Sequence, residues 1–211
     1  MESEVTNEQY SNYLNEHQMS PEEVSMDIGL RGYSTRPTEI VHTGKRYRPS
    51  MGYEEHPISA VGYRAAQSYC QWLGGRLPTE FEWEIGARGS TSDRRYPWGD
   101  EEDPSKANIG QRWKQDGRMP TTAVKSYPPN AFGVYDTIGN VAEWTQSKYQ
   151  GYPGTEKSIR RDDNSHRMVV RGGDWYSSWD TARVAFRQNM EINVRGLWNG
   201  GLGFRCLREK S

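Results

Sequence analysis

Leu, Ile, Val and Phe together supply only 30 of the 211 residues, whereas Trp, Tyr and Gly supply 8, 13 and 22. No other feature constrains the fold as tightly. That aliphatic share lies below the roughly 20% that normally signals disorder. Disorder also requires a large net charge, and 27 basic against 28 acidic residues leave only −1. The chain must therefore build its core from rings. Each buried Trp or Tyr removes about 150–250 Å² from water, so few are needed. The many glycines break the chain into short pieces. The expectation is a compact, loop-rich domain with an aromatic core. At about 100–200 residues per domain, the length predicts one domain over 1–211.

The same composition excludes several functions. No apolar run approaches the roughly 18–20 residues of a membrane span. No basic segment followed by an apolar one opens the chain, so no signal peptide is read. A net charge of −1 leaves no global electrostatic footprint for nucleic acid. Two cysteines, Cys70 and Cys206, are too few for a disulfide scaffold or an all-Cys zinc site. His17, His42, His56 and His166 lack metal-ligand spacing and read as loop or surface residues.

Thr6 and Gln9 form a capping box before Tyr10, Tyr13 and Leu14, predicting a helix from about Asn7 to Glu16. Residues 19–57 lack periodicity and read as long loops with short strands at most. His56–Val61 reads as extended. Ala66, Tyr69, Cys70 and Leu73 share a helical face, predicting a helix over about Tyr63–Leu73 that Gly74 and Gly75 end. Thr79 and Glu82 cap a third helix carrying Phe81, Trp83, Glu84 and Ala87. Short strands are expected at Ala123–Ser126, Val134–Asp136, Val141–Trp144, Met168–Arg171, Ala182–Phe186 and Leu202–Leu207. Helices first and strands later indicate an α+β class. There is no internal repeat.

Specific strings then accumulate in order. They include Glu4-Val5-Thr6-Asn7, Gly74-Gly75-Arg76-Leu77-Pro78-Thr79-Glu80-Phe81-Glu82-Trp83-Glu84 and Tyr96-Pro97-Trp98-Gly99. They continue with Asn130-Ala131-Phe132-Gly133-Val134-Tyr135-Asp136, Gly139-Asn140-Val141-Ala142-Glu143-Trp144, Arg171-Gly172-Gly173-Asp174-Trp175 and Gly203-Phe204-Arg205-Cys206. Over about residues 4–208 the chain resembles the formylglycine-generating-enzyme (sulfatase-modifying factor) family. The resemblance implies a C-type-lectin-like fold with two main helices and short twisted antiparallel sheets. It assigns Trp72, Trp83, Trp98 and Trp144 to the core. It implies that Cys70 and Cys206 lie adjacent, their bonding depending on the compartment.

The family's oxidases hold Cu(I) on two cysteines after the Arg-Gly-Gly turn, the soft ligands that ion prefers. Here those positions look like Ser177 and Ala182, and the Trp usual after Gly-Asn-Val is Ala142. The resemblance therefore implies no oxidase and no required cofactor. It also suggests structural calcium, which takes hard oxygen ligands. Asp136 and Glu143 with the Gly139 and Val141 carbonyls match one site. Asn108, the Ile109 carbonyl and Asp116 resemble a second. The alternative, that these residues cap turns without an ion, stays open.

Framework residues of 171–205 are interleaved with chemically unrelated ones. The latter are Asp174, Tyr176, Ser177, Ser178, Asp180, Thr181, Phe186, Asn189, Ile192, Asn193, Val194, Leu197 and Asn199. This resembles the variable proteins of diversity-generating retroelements, where adenine-directed copying randomises Asn codons in the last segment of such a domain. An Asn codon with a fixed final pyrimidine yields every residue just named, but not Trp, Gln, Met, Glu or Lys. Trp175, Trp179, Trp198, Gln188, Met190 and Glu191 are then template-encoded. Trp179 and Trp198 join the candidate binding face with Tyr176, Phe186, Ile192 and Leu197, since aromatics dominate binding hot spots.

Three functions remain at this stage. A ligand-binding protein places these residues on one exposed face, directed at an unknown protein or cell-surface ligand and displayed on a virion or cell through another protein. An accessory or structural relative scatters them or uses them in a fixed oligomer interface. An enzyme builds a deep polar pocket near Ser177. Oligomeric state is not legible. Met1 falls almost on the Glu-Val-Thr-Asn motif, which fits either a minimal domain or a piece of a longer chain.

Overall fold

The computed structural model describes residues 1–28, 38–112, 114–151, 166–193 and 200–208. Four helices come first: α1 (Asn7–Glu16), α2 (Pro21–Asp27), α3 (Tyr63–Trp72) and α4 (Glu80–Arg88). Strands β1 (Ile40–His42) and β2 (Tyr47–Pro49) form an antiparallel hairpin between α2 and α3. The second half forms a sheet from β3 (Ala142–Lys148), β4 (Arg167–Arg171), β5 (Gln188–Glu191) and β6 (Leu202–Gly203) in the order β5-β4-β3-β6. Neighbours run antiparallel except β3 and β6, which are parallel. The fold is α+β and C-type-lectin-like.

Helix α1 follows its cap. The Thr6 side chain accepts from the Gln9 amide, Gln9 reaches back to the Thr6 N–H, and Tyr10, Tyr13 and Leu14 are buried. Their rings start a cluster in which Tyr10 stacks on Tyr69 at 5.4 Å and Phe204 packs edge-on to Tyr69 at 5.4 Å. Cys70 and Cys206 close beside it as a disulfide, 136 residues apart in sequence with Cα atoms 5.4 Å apart. The adjacency that the resemblance implied is thus present, and the structure joins the two sulfurs. Trp144 is fully buried, and its indole N–H donates to the Val61 carbonyl at 2.8 Å.

A second, smaller core holds Trp83, Ala87, Tyr96, Ala107, Ile109, Ile138, Ala182 and Val184, with Trp98 and Trp179 packed against it. The expected core tryptophans thus divide. Trp83 and Trp144 are buried, as is Trp175. Trp72 and Trp98 are half-buried, their indole N–H groups bonded to Glu16 and the Glu101 carbonyl.

Several expected elements differ. Residues 19–57 hold α2, which Ser20 and Glu23 cap around Pro21. Its seven residues are too few for a periodicity to register. Ala123–Ser126, Val134–Asp136 and Ala182–Phe186 are not strands. Their backbones bond to distant loops instead: Val124 N–H to Glu55, Tyr135 N–H to Glu2 and Val184 N–H to Arg95. The expected Leu202–Leu207 strand shortens to β6, and β5 was not anticipated. No helix among the described residues is long and apolar enough to cross a membrane.

Candidate functional site

Strand β4 delivers Arg171 to a tight turn. Arg171 is fully buried, its guanidinium 5.4 Å from the Trp83 ring and hydrogen-bonded to Glu84 and the Phe186 carbonyl. Gly172 and Gly173 follow with φ of +90° and +70°. At Gly173 a Cβ would lie 3.1 Å from both the Ser177 Oγ and the Ala182 Cβ. Ser177 and Ala182, the two positions that the resemblance aligns with copper-ligand cysteines, therefore both border Gly173. They present a hydroxyl and a methyl, neither of which is a soft ligand.

Around this point the chain is tied by its own side chains. Asp174 is buried; its Oδ1 accepts from Ser177 Oγ at 2.8 Å and from the Tyr176 N–H at 3.1 Å. Burial pushes its pKa above the usual carboxylate range. Thr181 Oγ1 accepts from the Ser178 N–H at 3.1 Å, closing a second small turn. The Trp179 carbonyl accepts from Tyr96 Oη, and its ring packs edge-on to Tyr96 and Trp98. Asp180 pairs with Arg95 at 2.7 Å.

Tyr176, Ser178, Asp180 and Asn193 are exposed. Ser177, Trp179, Thr181, Phe186, Asn189 and Ile192 are half-buried. Asp174 departs from the exposed-face expectation because it faces inward as the turn's acceptor. Trp179 likewise serves the second core with much of its ring. Residues 174–182 gather in one turn stack. Asn189, which accepts from Arg167 at 2.5 Å, lies on edge strand β5, and Ile192 packs on the main core beyond it. Val194, Leu197, Trp198 and Asn199 lie outside the described residues. Cavities of about 180 and 150 Å³ open against α4 and against Trp98, and Ser177 lines neither.

The expected calcium ligands are arranged differently. Glu143 is fully buried, and Arg205 donates Nε to Oε2 and Nη2 to Oε1, each at 2.7 Å. Trp83 Nε1 adds a third bond at 2.8 Å. Both oxygens are thus committed, and the carboxylate fits a guanidinium rather than a divalent ion. Asp136 Oδ2 accepts from the Lys125 N–H at 2.6 Å, while its buried Oδ1 has no partner. At the second site Asn108 Nδ2 donates to the Pro120 carbonyl and to Asn140 Oδ1, the Ile109 carbonyl accepts from Gln111 Nε2, and exposed Asp116 accepts from the Arg118 N–H. No three His, Cys, Asp or Glu side chains converge to hold a metal among the described residues.

Two framework residues were not singled out by the sequence. Asn140, at φ +59°, accepts from the Thr122 N–H and donates to Glu4 at 2.8 Å. Glu4 is buried; its burial and the neighbouring Asp136 and Glu143 raise its pKa well above the usual range. The Glu-Val-Thr-Asn and Gly-Asn-Val strings that marked them carried no clue that the two segments meet.

This frame of buried loop polar groups, two mixed aliphatic and aromatic cores and an Arg-Gly-Gly turn defines a class. Residues 1–210 match the family described as the sulfatase-modifying factor enzyme 1-like domain, and the chain belongs to it. It is 39% identical over 210 residues to the serine/threonine-protein kinase pkn1 of Chlamydia pneumoniae, covering 97% of this chain and 32% of that protein. It is 37% identical over 164 residues to the inactive C-alpha-formylglycine-generating enzyme 2 of Bos taurus, covering 72% of this chain and 50% of that protein. The chain thus spans half or less of these curated relatives. Among solved structures, Treponema denticola variable protein 1 shares the fold, with a TM-score of 0.62 at 22% identity over 95% of this chain and 80% of that one.

Proposed function

We propose that this domain is a non-catalytic binding module that presents the side chains of the turn after Gly173 to a protein or cell-surface ligand. One observation carries the reading. Ser177 and Ala182, which the resemblance aligns with the copper thiolates of oxidase relatives, both border Gly173 and offer a hydroxyl and a methyl, which supports a frame used without that chemistry. Beside them Tyr176, Ser178 and Asp180 project from a backbone that Asp174, Thr181 and Gly173 already fix. The likeness to an inactive relative and to a variable protein supports the same reading.

Two measurements test it. Incubated with copper and a cysteine-bearing sulfatase peptide, the protein leaves the cysteine unchanged by mass spectrometry; conversion to formylglycine would contradict the proposal. A displayed library randomised at Tyr176, Ser178, Asp180 and Asn193 yields specific binders to a protein bait. A library that folds but never yields one contradicts it equally. The second reading, an accessory domain of a larger protein, is favoured by the 32% share of the kinase relative that the chain covers.

A further inference from the structure

We propose that the cavity of about 180 Å³ against α4 is a binding site for a small, uncharged ring-shaped molecule bearing one polar oxygen. Ser177 does not line this cavity, so the site is separate from the Tyr176 turn and goes beyond the binding reading above. Segments distant in sequence wall it. Pro78, Trp83, Gly86 and Ala87 come from α4 and its approach, Val134 from the loop before β3, and Leu207 from the segment after β6. An aliphatic-walled cavity of about 150 Å³ holds benzene. This one therefore has room for a ring with a short substituent.

The wall is mostly apolar, and its charged side chains are engaged. The two Glu82 oxygens accept from the two Arg76 Nη atoms, each at 2.7 Å. Arg205 is committed to Glu143. Neither side chain is left to pair with a charged ligand. Trp83 is fixed in advance, with Nε1 bonded to Glu143 and its ring 5.4 Å from the Arg171 guanidinium. A wall already in place loses little entropy when a ligand arrives.

Gly86 is the first observation that points to a ligand. It lies inside α4, where glycine weakens a helix relative to alanine. Neither common reason for a glycine applies to it. Its φ lies outside the left-handed region, and a Cβ built on it meets nothing within 4 Å. Helix and packing both accept a side chain at position 86, and its absence leaves the cavity open. Thr137 is the second observation. It is 5% exposed and lines the cavity, yet its hydroxyl makes no hydrogen bond among the described residues. A buried hydroxyl without a partner is costly, and a ligand oxygen would supply one. An apolar cleft with few polar groups to set orientation is the usual form of a small-molecule site.

Benzyl alcohol and toluene, titrated into the full chain and followed by protein NMR, test the proposal. Both are expected to bind, benzyl alcohol more tightly. Gly86→Leu, which fills the cavity, should weaken both about tenfold or more. Gly86→Ala should melt no lower than the parent, and should weaken both less, so that lost binding is not lost folding. Thr137→Val should weaken benzyl alcohol about three- to tenfold and leave toluene unchanged. That split stands even where Gly86→Leu fails to fold. Binding of neither probe up to its solubility would overturn the site, as would equal binding by a folded Gly86→Leu chain. Equal loss of both probes in Thr137→Val would overturn the polar contact. Binding of N-acetyl-phenylalanine amide without either probe would overturn the small molecule in favour of a peptide side chain. None of these outcomes bears on the Tyr176 turn, so the binding reading stands or falls separately.

Discussion

At the scale of single residues, buried charge decides the most. Arg205 would be costly to bury alone, and Glu143 holds it protonated through two hydrogen bonds. Removing one member of such a pair leaves the other uncompensated, so Glu143→Gln should cost about 3–5 kcal/mol in urea unfolding. Reducing or replacing the Cys70–Cys206 bond should cost about 2–5 kcal/mol, since it closes a long loop. His56 gives a pH signature. Its burial and nearby Lys114 push its pKa down to about 4 from 6.5. The unfolded chain therefore binds that proton first, and stability falls as pH drops from 6.5 towards 4. A His56→Gln chain should flatten that window in pH-dependent melts. Glu82, held down to about 2 by Arg76, adds a separate loss that starts lower, as pH falls through the ordinary carboxylate range. The cysteine pairing was legible through family resemblance alone. The Glu143–Arg205 pair was not, because nothing local links residues 62 apart in sequence.

At the scale of elements, legibility followed local signals. The capping boxes at Thr6 and Thr79 placed α1 and α4 correctly, because Ser/Thr-x-x-Glu/Gln satisfies orphan N–H groups within one turn. Thr79→Ala should accordingly cost about 0.5–2 kcal/mol, read as a shift in the urea midpoint. The same signal at Ser20 was present, but α2 has little apolar stripe to go with it. The loop backbones failed to read as anything regular because they bond across the molecule. Gly139 is the sharpest case. It sits at φ +79°, and a Cβ there would lie 2.4 Å from the Asn108 carbonyl oxygen. Gly139→Ala should therefore cost well beyond the ~1 kcal/mol of an ordinary glycine exchange, with circular dichroism melts as the check. The turn at 174–182 was marked by its irregular residues, while the 110–112 stretch bonded to it carried no signal at all.

At the scale of the molecule, the core is not built from rings as composition predicted: aliphatic side chains outnumber aromatic ones in both cores, which most of the scarce Val, Ile and Leu among the described residues enter, and loop hydrogen bonds frame them. The central claim is that this frame stands without the exposed side chains of the face. The Asp180–Arg95 pair does not contradict this, since exposed ion pairs contribute about 0–1 kcal/mol. The direct test is a stability measurement across a library randomised at Tyr176, Ser178, Asp180 and Asn193. The account predicts that most members unfold cooperatively, within about 0.5 kcal/mol per substitution of the parent. A library in which most members lose folded structure, or fold only when the parental residues return, would contradict it.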